Sequence, residues 1–216
     1  MSTPIDYPVC LRLEGRRVLL VGGGTIAEGR ALAVLEAGAR LRVVSPEATT
    51  TLRTLATQGR LEWLARPYVP GDVRGHDLVL AATDDASVGP LVAKEARALG
   101  VWVNTADVPE LCDFTLPSVG RRGPITLAIS TAGHAPAVAR RLRRELTARV
   151  APHHVWLARL SGWLRRRLPA GVERQRLLKS LVEGDIGALL ERGERKAAGA
   201  RLRAALKTLK SSGETT

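Results

Sequence analysis

The most informative chemical pattern of this chain is a set of small residues that directly follow an apolar run. Gly22, Gly24 and Ala27 have the spacing G-x-G-x-x-A, and the run before them, Arg17–Val21, predicts a buried strand. In this pattern the first glycine permits a tight turn, the second lets a pyrophosphate approach the backbone, and the third small residue lets a helix pack closely. Free N–H groups at the start of that helix attract an anion. Because apolar residues at helical spacing begin at Ile26, we favour a dinucleotide-binding turn over a purely structural glycine turn.

Further cofactor contacts are predicted at the ends of other strands, since ligands of open α/β sheets bind beyond the carboxyl ends of the strands. NAD-binding folds commonly carry an acidic residue about 20 residues after the glycines, whereas this chain has Ser45 there, so the position does not decide between NAD and NADP. For Asp84 and Asp85 taken alone, capping of the next helix is the favoured interpretation. The predicted cofactor-binding residues are Gly22, Gly23, Gly24, Thr25, Ile26, Ser45, Pro46, Thr83, Asp84 and Asn104.

Asp107 is the candidate for acid–base chemistry. It comes just past a predicted strand at 101–104. An ionised carboxylate beside a nicotinamide site is placed to take a proton while a hydride leaves the substrate. A single aspartate in a loop is more often a turn residue, and spacing alone favours that interpretation.

The elements that would position these residues alternate between short apolar strands and helices. The sequence predicts strands at 17–21, 41–45, 61–64, 78–82 and 101–104, with helices near 26–37, 48–58 and 88–99. Such βαβ units with right-handed crossovers predict an α/β fold with a Rossmann-like, doubly wound parallel sheet.

The pattern changes after Asp113. Two strands are predicted at 114–119 and 125–130, joined by a turn at 120–123, and a helix follows from Pro136 to about residue 150. From Pro152 onward the pattern is helical. On this helical part, His153 and His154 are adjacent and are predicted to point apart as surface or capping residues. Trp156 and Trp163 lie seven residues apart and predict a buried stripe rather than an aromatic stacking platform for a ligand.

The net charge of +12 over 216 residues is concentrated in the second half. Residues 113–216 carry 21 Lys and Arg against 8 Asp and Glu, whereas the first 112 residues are close to neutral. A half with this charge could bind nucleic acid, an acidic membrane surface or a molecule with many carboxylates, although solvated helix faces explain the charge equally well.

No apolar run approaches the roughly 20 residues of a membrane span, two cysteines are too few for a disulfide framework, and no signal-peptide pattern is evident. We therefore predict a cytoplasmic location.

Several motifs, in order along residues 5–150, resemble the precorrin-2 dehydrogenase family, the dehydrogenase/chelatase module of siroheme synthases. They are V-G-G-G at 21–24 with Ala27, L-E-A-G-A at 35–39, A-A-T-D-D at 81–85, N-T-A-D at 104–107, F-T-L-P-S at 114–118 and I-S-T-A-G-H-A-P at 129–136. The helical region after residue 150 matches more loosely.

The resemblance implies an NAD-dependent oxidation of precorrin-2 to sirohydrochlorin, with Asp107 as the catalytic base. In some members Fe²⁺ or Co²⁺ insertion is a second activity, and no metal ligand is assigned here. It implies a homodimer without nucleic-acid or membrane partners. The implied organisation is an NAD-binding Rossmann domain at 1–112, a small α+β dimerisation segment at 113–150 and a C-terminal helical domain at 151–216.

The substrate of this family is rich in carboxylates, which backbone N–H groups at a helix start and arginines can bind. The residues predicted to bind it are Ser130, Thr131, Gly133, His134 and Arg140. The alternative that composition leaves open is a nucleotide-sensing regulatory Rossmann protein with a basic, nucleic-acid-binding C-terminal region.

Overall fold

The computed structural model describes residues 6–213, and their side chains as far as residue 207. The chain divides into two compact units, Met1–Leu116 and Pro117–Thr216. Among the described residues, no helix is both long enough and apolar enough to cross a lipid bilayer.

The first unit is a five-stranded parallel sheet with helices on both faces. Its strands lie in the order β3-β2-β1-β4-β5. They are β1 (Arg17–Val21), β2 (Arg40–Val44), β3 (Glu62–Leu64), β4 (Leu78–Ala81) and β5 (Trp102–Thr105). The helices are α1 (Thr25–Glu36), α2 (Thr50–Thr57) and α3 (Val88–Ala98), and a single 3-10 turn occupies Pro109–Leu111. The predicted Rossmann-like α/β fold is confirmed.

Alternation along the buried strands divides the core of this unit into two layers. Val18 and Leu20 pack in the layer that contains residues of α1 and α2, whereas Leu19 and Val21 pack with residues of α3. Strand order reverses between β1 and β4, because the chain leaves β1 towards β2 and later returns to the other side of β1. The glycine turn that follows β1 therefore stands at the topological switch point, where ligands of this fold class bind.

The second unit combines a hairpin with five helices. The hairpin is β6 (Ser118–Arg122) and β7 (Ile125–Ile129), and the helices are α4 (Pro136–Arg149), α5 (Pro152–Arg167), α6 (Val172–Glu183), α7 (Asp185–Glu191) and α8 (Arg195–Gly213). Leucines of four helices form its core, including Leu164 and Leu181, which are fully buried. The C-terminal helical region is present as predicted.

The hairpin does not begin where the sequence predicts. The strand expected at 114–119 starts at Ser118 instead, and the expected turn at 120–123 is mostly strand. Phe114 is held elsewhere: its carbonyl accepts a hydrogen bond from Asn104 Nδ2 at 2.8 Å, and its ring packs on the core of the first unit. The reversal occurs at Gly123 and Pro124, with Gly123 in the left-handed region at φ +58°.

The tryptophan stripe is also predicted wrongly. Trp156 and Trp163 are 41% and 42% exposed, and the neighbouring residues Leu157 and Leu164 form the buried face of α5. Both pairs have the same spacing of seven, so periodicity alone cannot distinguish them. The aliphatic pair occupies the core, and the two indoles are left on the outer side of the helix.

The hairpin approaches α4 too closely for a side chain at Gly120. A Cβ there would lie 2.1 Å from Thr147 Oγ1 and 3.1 Å from Arg143 Cδ. We expect Gly120→Ala to destabilise the protein by about 1–3 kcal/mol, the cost of overpacking a close contact. Urea unfolding measures the change, and Gly162→Ala, in α5, where the added Cβ meets no atom closer than 3.7 Å, is the control. A second substitution, Thr147→Ala, should restore much of the loss; failure to do so would contradict the steric explanation.

Candidate functional site

The glycine turn is wedged between the loops that follow β2 and β4. A Cβ at Gly22 would lie 1.9 Å from the carbonyl oxygen of Ala82, and one at Gly23 would lie 2.0 Å from that of Glu47. Gly22 also has φ +116°, a backbone conformation that side chains rarely adopt. The turn therefore requires glycine at both positions, and it brings three strand ends together.

Gly24 differs from its neighbours because nothing in its surroundings demands a glycine. A Cβ there would meet no atom within 4 Å, and Gly24 is the N-cap residue of α1. Ala27, the third small residue of the fingerprint, is fully buried against the sheet. The start of α1 thus has open space beside its free N–H groups, as an approaching pyrophosphate would need.

The end of β2 contributes less side-chain chemistry than expected. Ser45 is buried, its N–H donates to the carbonyl of Leu64 at 3.2 Å, and its carbonyl accepts from Trp63 Nε1 at 3.0 Å. Pro46 is exposed beside it. The ribose contact proposed for Ser45 stays a prediction.

The loop after β4 is ordered by its own polar groups. Thr83 Oγ1 accepts from the N–H of Asp85 at 3.2 Å, and Asp85 Oδ1 accepts from the N–H and hydroxyl of Ser87 at 2.9 Å and 2.6 Å. Ser87 is the N-cap residue of α3, so Asp85 fixes the entry to that helix. Asp84 is exposed at the same strand end.

At the end of β5 two buried polar atoms have no hydrogen-bond partner among the described residues. They are Asn104 Oδ1 and Thr105 Oγ1, on side chains that are 6% and 7% exposed. An unpartnered buried acceptor costs about 1–3 kcal/mol, and a bound ligand that donates to it would offset this cost. Together with the open space at Gly24, this observation fits a dinucleotide bound across the carboxyl ends of the strands.

Asp107 lies two residues beyond β5, on the same edge of the sheet. It is exposed and has φ +59°, in the left-handed region. Aspartate tolerates this conformation better than most residues, but it still carries a small strain there. The turn predicted from the sequence is present, and it places the carboxylate among the strand ends that form the candidate cofactor site.

Arg30 is a site residue that the sequence analysis missed. From α1 its Nη1 donates to the carbonyls of Ala81 at 2.9 Å and Asn104 at 3.4 Å, the ends of β4 and β5. Burial lowers the pKa of the Arg30 guanidinium, and the charges of Cys112 and Asp107 oppose that shift. The helical periodicity of the sequence could have indicated this residue, because Arg30 lies on the face of α1 whose other members, Ala27, Ala31 and Val34, are buried.

We expect Arg30→Ala to loosen the β4 and β5 ends. The free energy of unfolding should fall by about 1–2 kcal/mol. The variant loses two hydrogen bonds from a charged donor, but it no longer pays the cost of burying a guanidinium, and this offsets part of the loss. The affinity for NAD⁺ should fall as well. Urea unfolding and a cofactor titration measure the two effects. The control is Arg60→Ala, at an exposed position, which should change stability by less than about 0.5 kcal/mol.

In the second unit, four of the five predicted substrate residues lie in one tight loop before α4. Ser130 Oγ accepts from the N–H of Ala132 at 3.1 Å, and Thr131 Oγ1 accepts from the N–H of Ala135 at 3.1 Å. Ala132 has φ +49° and Gly133 has φ +80°, so the loop holds an alanine in a conformation that favours glycine. His134 is exposed in this loop, and Arg140 is exposed on the helix that follows.

The histidine pair at the start of α5 is arranged differently from the prediction. His153 and His154 do not point apart, since their Nε2 atoms lie 3.1 Å from each other. His154 Nδ1 accepts from the N–H of Ala151 at 2.9 Å, so this histidine does cap the helix start. Within the described part of the chain, no group of three or more His, Cys, Asp or Glu is placed to hold a metal ion.

Comparisons with known proteins agree with this arrangement. A family model described as putative NAD(P)-binding matches residues 9–118, and one described as sirohaem biosynthesis protein central matches residues 122–149. Siroheme synthase 1 of Aeromonas salmonicida (strain A449) is 41% identical over 200 residues, which are 90% of this chain and 43% of that protein. Siroheme synthase of Methylobacillus flagellatus is 37% identical over 195 residues, 88% of this chain and 42% of that protein.

The chain thus spans less than half the length of the curated relatives it matches. One solved structure, SirC, precorrin-2 dehydrogenase, is similar over 95% of this chain and 100% of that chain, with a TM-score of 0.74 and 25% identity. The nucleotide turn, the central segment and the helical region all fall within these matches. The chain therefore belongs to the family of NAD(P)-binding siroheme-biosynthesis proteins that includes precorrin-2 dehydrogenases and the N-terminal module of siroheme synthases.

Proposed function

We propose that this protein oxidises precorrin-2 to sirohydrochlorin and uses NAD⁺ as the hydride acceptor. The observation that carries the proposal is the similarity to a precorrin-2 dehydrogenase over 95% of the chain, which includes the nucleotide site. The open start of α1 and the unpartnered acceptor at the end of β5 support binding of the cofactor. No comparison supports the alternative of a nucleotide-sensing, nucleic-acid-binding regulator.

The residues at the strand ends have separate tasks in this reaction. NAD⁺ supplies the hydride acceptor. The N–H groups that follow Gly24 bind the pyrophosphate, and Asn104 Oδ1 accepts a hydrogen bond from the bound nucleotide. The carboxylate of Asp107 accepts the proton that the macrocycle loses, so hydride and proton leave the substrate to different acceptors. Arg30 holds the ends of β4 and β5 together, and Asn104 and Asp107 belong to β5 and to the turn that follows it.

The loop before α4 is proposed to bind carboxylates of the substrate. Its left-handed backbone at Ala132 and Gly133 fixes the N–H groups that lead into the helix. His134 and Arg140 are exposed and can approach an anionic ligand, and a guanidinium pairs with a carboxylate through two parallel hydrogen bonds. Ser130 and Thr131 contribute by holding the loop with their hydroxyls.

We further propose that the protein is a cytoplasmic homodimer without nucleic-acid or membrane partners. Val138, Leu142 and Leu146 are 50%, 39% and 40% exposed on α4. They repeat every four residues and form one apolar face of that helix, in the segment 113–150. A second copy of this chain would cover it, and light scattering on the purified protein tests the oligomeric state.

The function is tested by anaerobic incubation of the purified protein with enzymatically made precorrin-2 and NAD⁺. The expected result is the spectrum of sirohydrochlorin together with an equivalent amount of NADH. A parallel reaction with NADP⁺ decides the cofactor preference, and later addition of Fe²⁺ or Co²⁺ decides whether the protein also inserts a metal. A folded protein that produces no NAD⁺-dependent change in the macrocycle would overturn the proposal.

A further inference from the structure

The second unit contains a basic cavity whose lining includes none of the residues proposed to bind the cofactor or the substrate. Its volume is about 800 Å³, within the range of small-molecule sites. Three arginines line it, together with His153 and Trp156, and none of its lining residues is acidic. The arginines are Arg122, Arg159 and Arg195.

The hairpin turn builds one wall of this cavity. A Cβ at Gly123 would lie 2.6 Å from Val155 Cγ1, so the turn rests directly on α5. The preceding residue, Arg122, donates from Nη1 to the carbonyl of Val150 at the end of α4. This bond holds one guanidinium edge and fixes the position of the charge beside α5.

The opposite walls come from α5 and from the loop between α7 and α8. Trp156 and Arg159 are three residues apart on α5 and therefore share a face, while Leu190 and Arg195 come from the α7–α8 region. The indole of Trp156 remains 41% exposed. The cavity thus combines a flat aromatic surface and aliphatic side chains with separate cationic groups.

These features together select a particular kind of ligand. Each guanidinium matches a carboxylate through two parallel hydrogen bonds, and aromatic faces such as that of Trp156 stack on planar rings. The three arginines are exposed, and because no lining residue is acidic, their combined positive charge favours an anion with several charges. A planar molecule with an apolar centre and peripheral carboxylates satisfies both requirements.

We propose that this cavity binds a carboxylate-rich tetrapyrrole, through Arg122, Arg159 and Arg195, with Trp156 against the plane of the macrocycle. The choice of macrocycle rests on the proposed function, whereas the preference for a planar polycarboxylate rests on the cavity itself. The site uses none of the cofactor or substrate residues assigned above. It can therefore hold a macrocycle without NAD⁺.

The test is a titration of the full chain with uroporphyrin, a stable porphyrin that carries carboxylates on every pyrrole ring, in the absence of NAD⁺. Binding is followed by quenching of tryptophan fluorescence and by calorimetry. Arg159→Gln and Arg195→Gln should each weaken binding about tenfold, which corresponds to loss of one charged pair. Arg166→Gln, at an exposed position of α5 outside the cavity lining, is the matched control and should bind as the unchanged protein does.

Two further ligands test the class of molecule. A porphyrin of similar size with N-methylpyridinium groups should not bind, and ATP should not displace uroporphyrin. Equal binding of the cationic porphyrin, displacement by ATP, or unchanged affinity in both arginine variants would overturn the proposal. Because no step of this titration requires turnover, its failure is distinct from a failure to oxidise precorrin-2.

Discussion

Replacing Asp107 by asparagine is expected to abolish most of the NAD⁺-dependent oxidation of precorrin-2 while the protein stays folded. Asparagine tolerates the left-handed backbone at φ +59° as aspartate does, but its amide cannot accept the proton. Loss of a general base typically lowers the rate by about 10²- to 10⁴-fold. Single-turnover kinetics with saturating NAD⁺ measure the chemical step, and a cofactor titration should give an affinity close to that of the unchanged protein.

Two companion variants separate chemistry from backbone structure. Glu110→Gln removes an exposed negative charge from the neighbouring 3-10 turn and should keep full activity. Asp107→Gly should retain or raise stability, by up to about 1 kcal/mol, because glycine adopts φ > 0 without strain, yet it should be as inactive as the asparagine variant. An active Asp107→Asn enzyme would mean that the residue serves only the turn.

Gly24→Ala is expected to produce a folded protein that binds NAD⁺ at least tenfold more weakly. The new Cβ meets no protein atom within 4 Å, so it enters the open space beside the helix start and hinders a pyrophosphate from reaching the backbone. The cost to stability should be small, about 0.5–1 kcal/mol, since alanine is a poorer N-cap residue than glycine. Calorimetric titration with NAD⁺ and urea unfolding measure the two quantities.

Substitutions of two other glycines serve as controls for Gly24→Ala. Gly29→Ala, later in α1, also adds a Cβ in open space, and it should leave NAD⁺ affinity unchanged while it stabilises the helix by about 1 kcal/mol. Gly22→Ala should instead damage the fold, because its Cβ would collide with the backbone oxygen of Ala82. If Gly24→Ala binds NAD⁺ normally, the pyrophosphate does not lie on this turn.

The parts of the structure that the sequence predicts well are those with strong local patterns. β1 is predicted to the residue, and the remaining strands of the sheet lie within one residue of the expected bounds, since each is a short apolar run between helical stretches. The dinucleotide turn is also a local pattern, because its small residues lie within six positions directly after β1, although the contacts that require glycine at Gly22 and Gly23 come from the more distant Ala82 and Glu47. The position of the loop that contains Asp107 is predicted for the same reason, because this loop directly follows the apolar run that forms β5.

The parts that the sequence does not predict depend on contacts between distant residues. The start of β6 shifts because Phe114 is bound by Asn104, ten residues earlier in the chain. The hydrogen bonds of Arg30 cross 51 and 74 residues, so no local window contains them. The approach of the two histidine rings depends on side-chain torsions at a helix end, where residue spacing does not determine direction. The roles proposed for the site residues remain predictions for the experiments above.

The separation of the hydrophobic cores has a consequence for inherited variation in this chain. The layers around β1 contain residues of the first unit, whereas the leucine core of α5–α8 contains residues of the second, and none of the residues whose side chains the structure describes belongs to both. Substitutions that share no contacts change the free energy of folding additively. A lineage can therefore alter the leucine core of its helical half, one small step at a time, without changing the effect of substitutions beneath the nucleotide turn. Selection on the two halves can proceed at different rates.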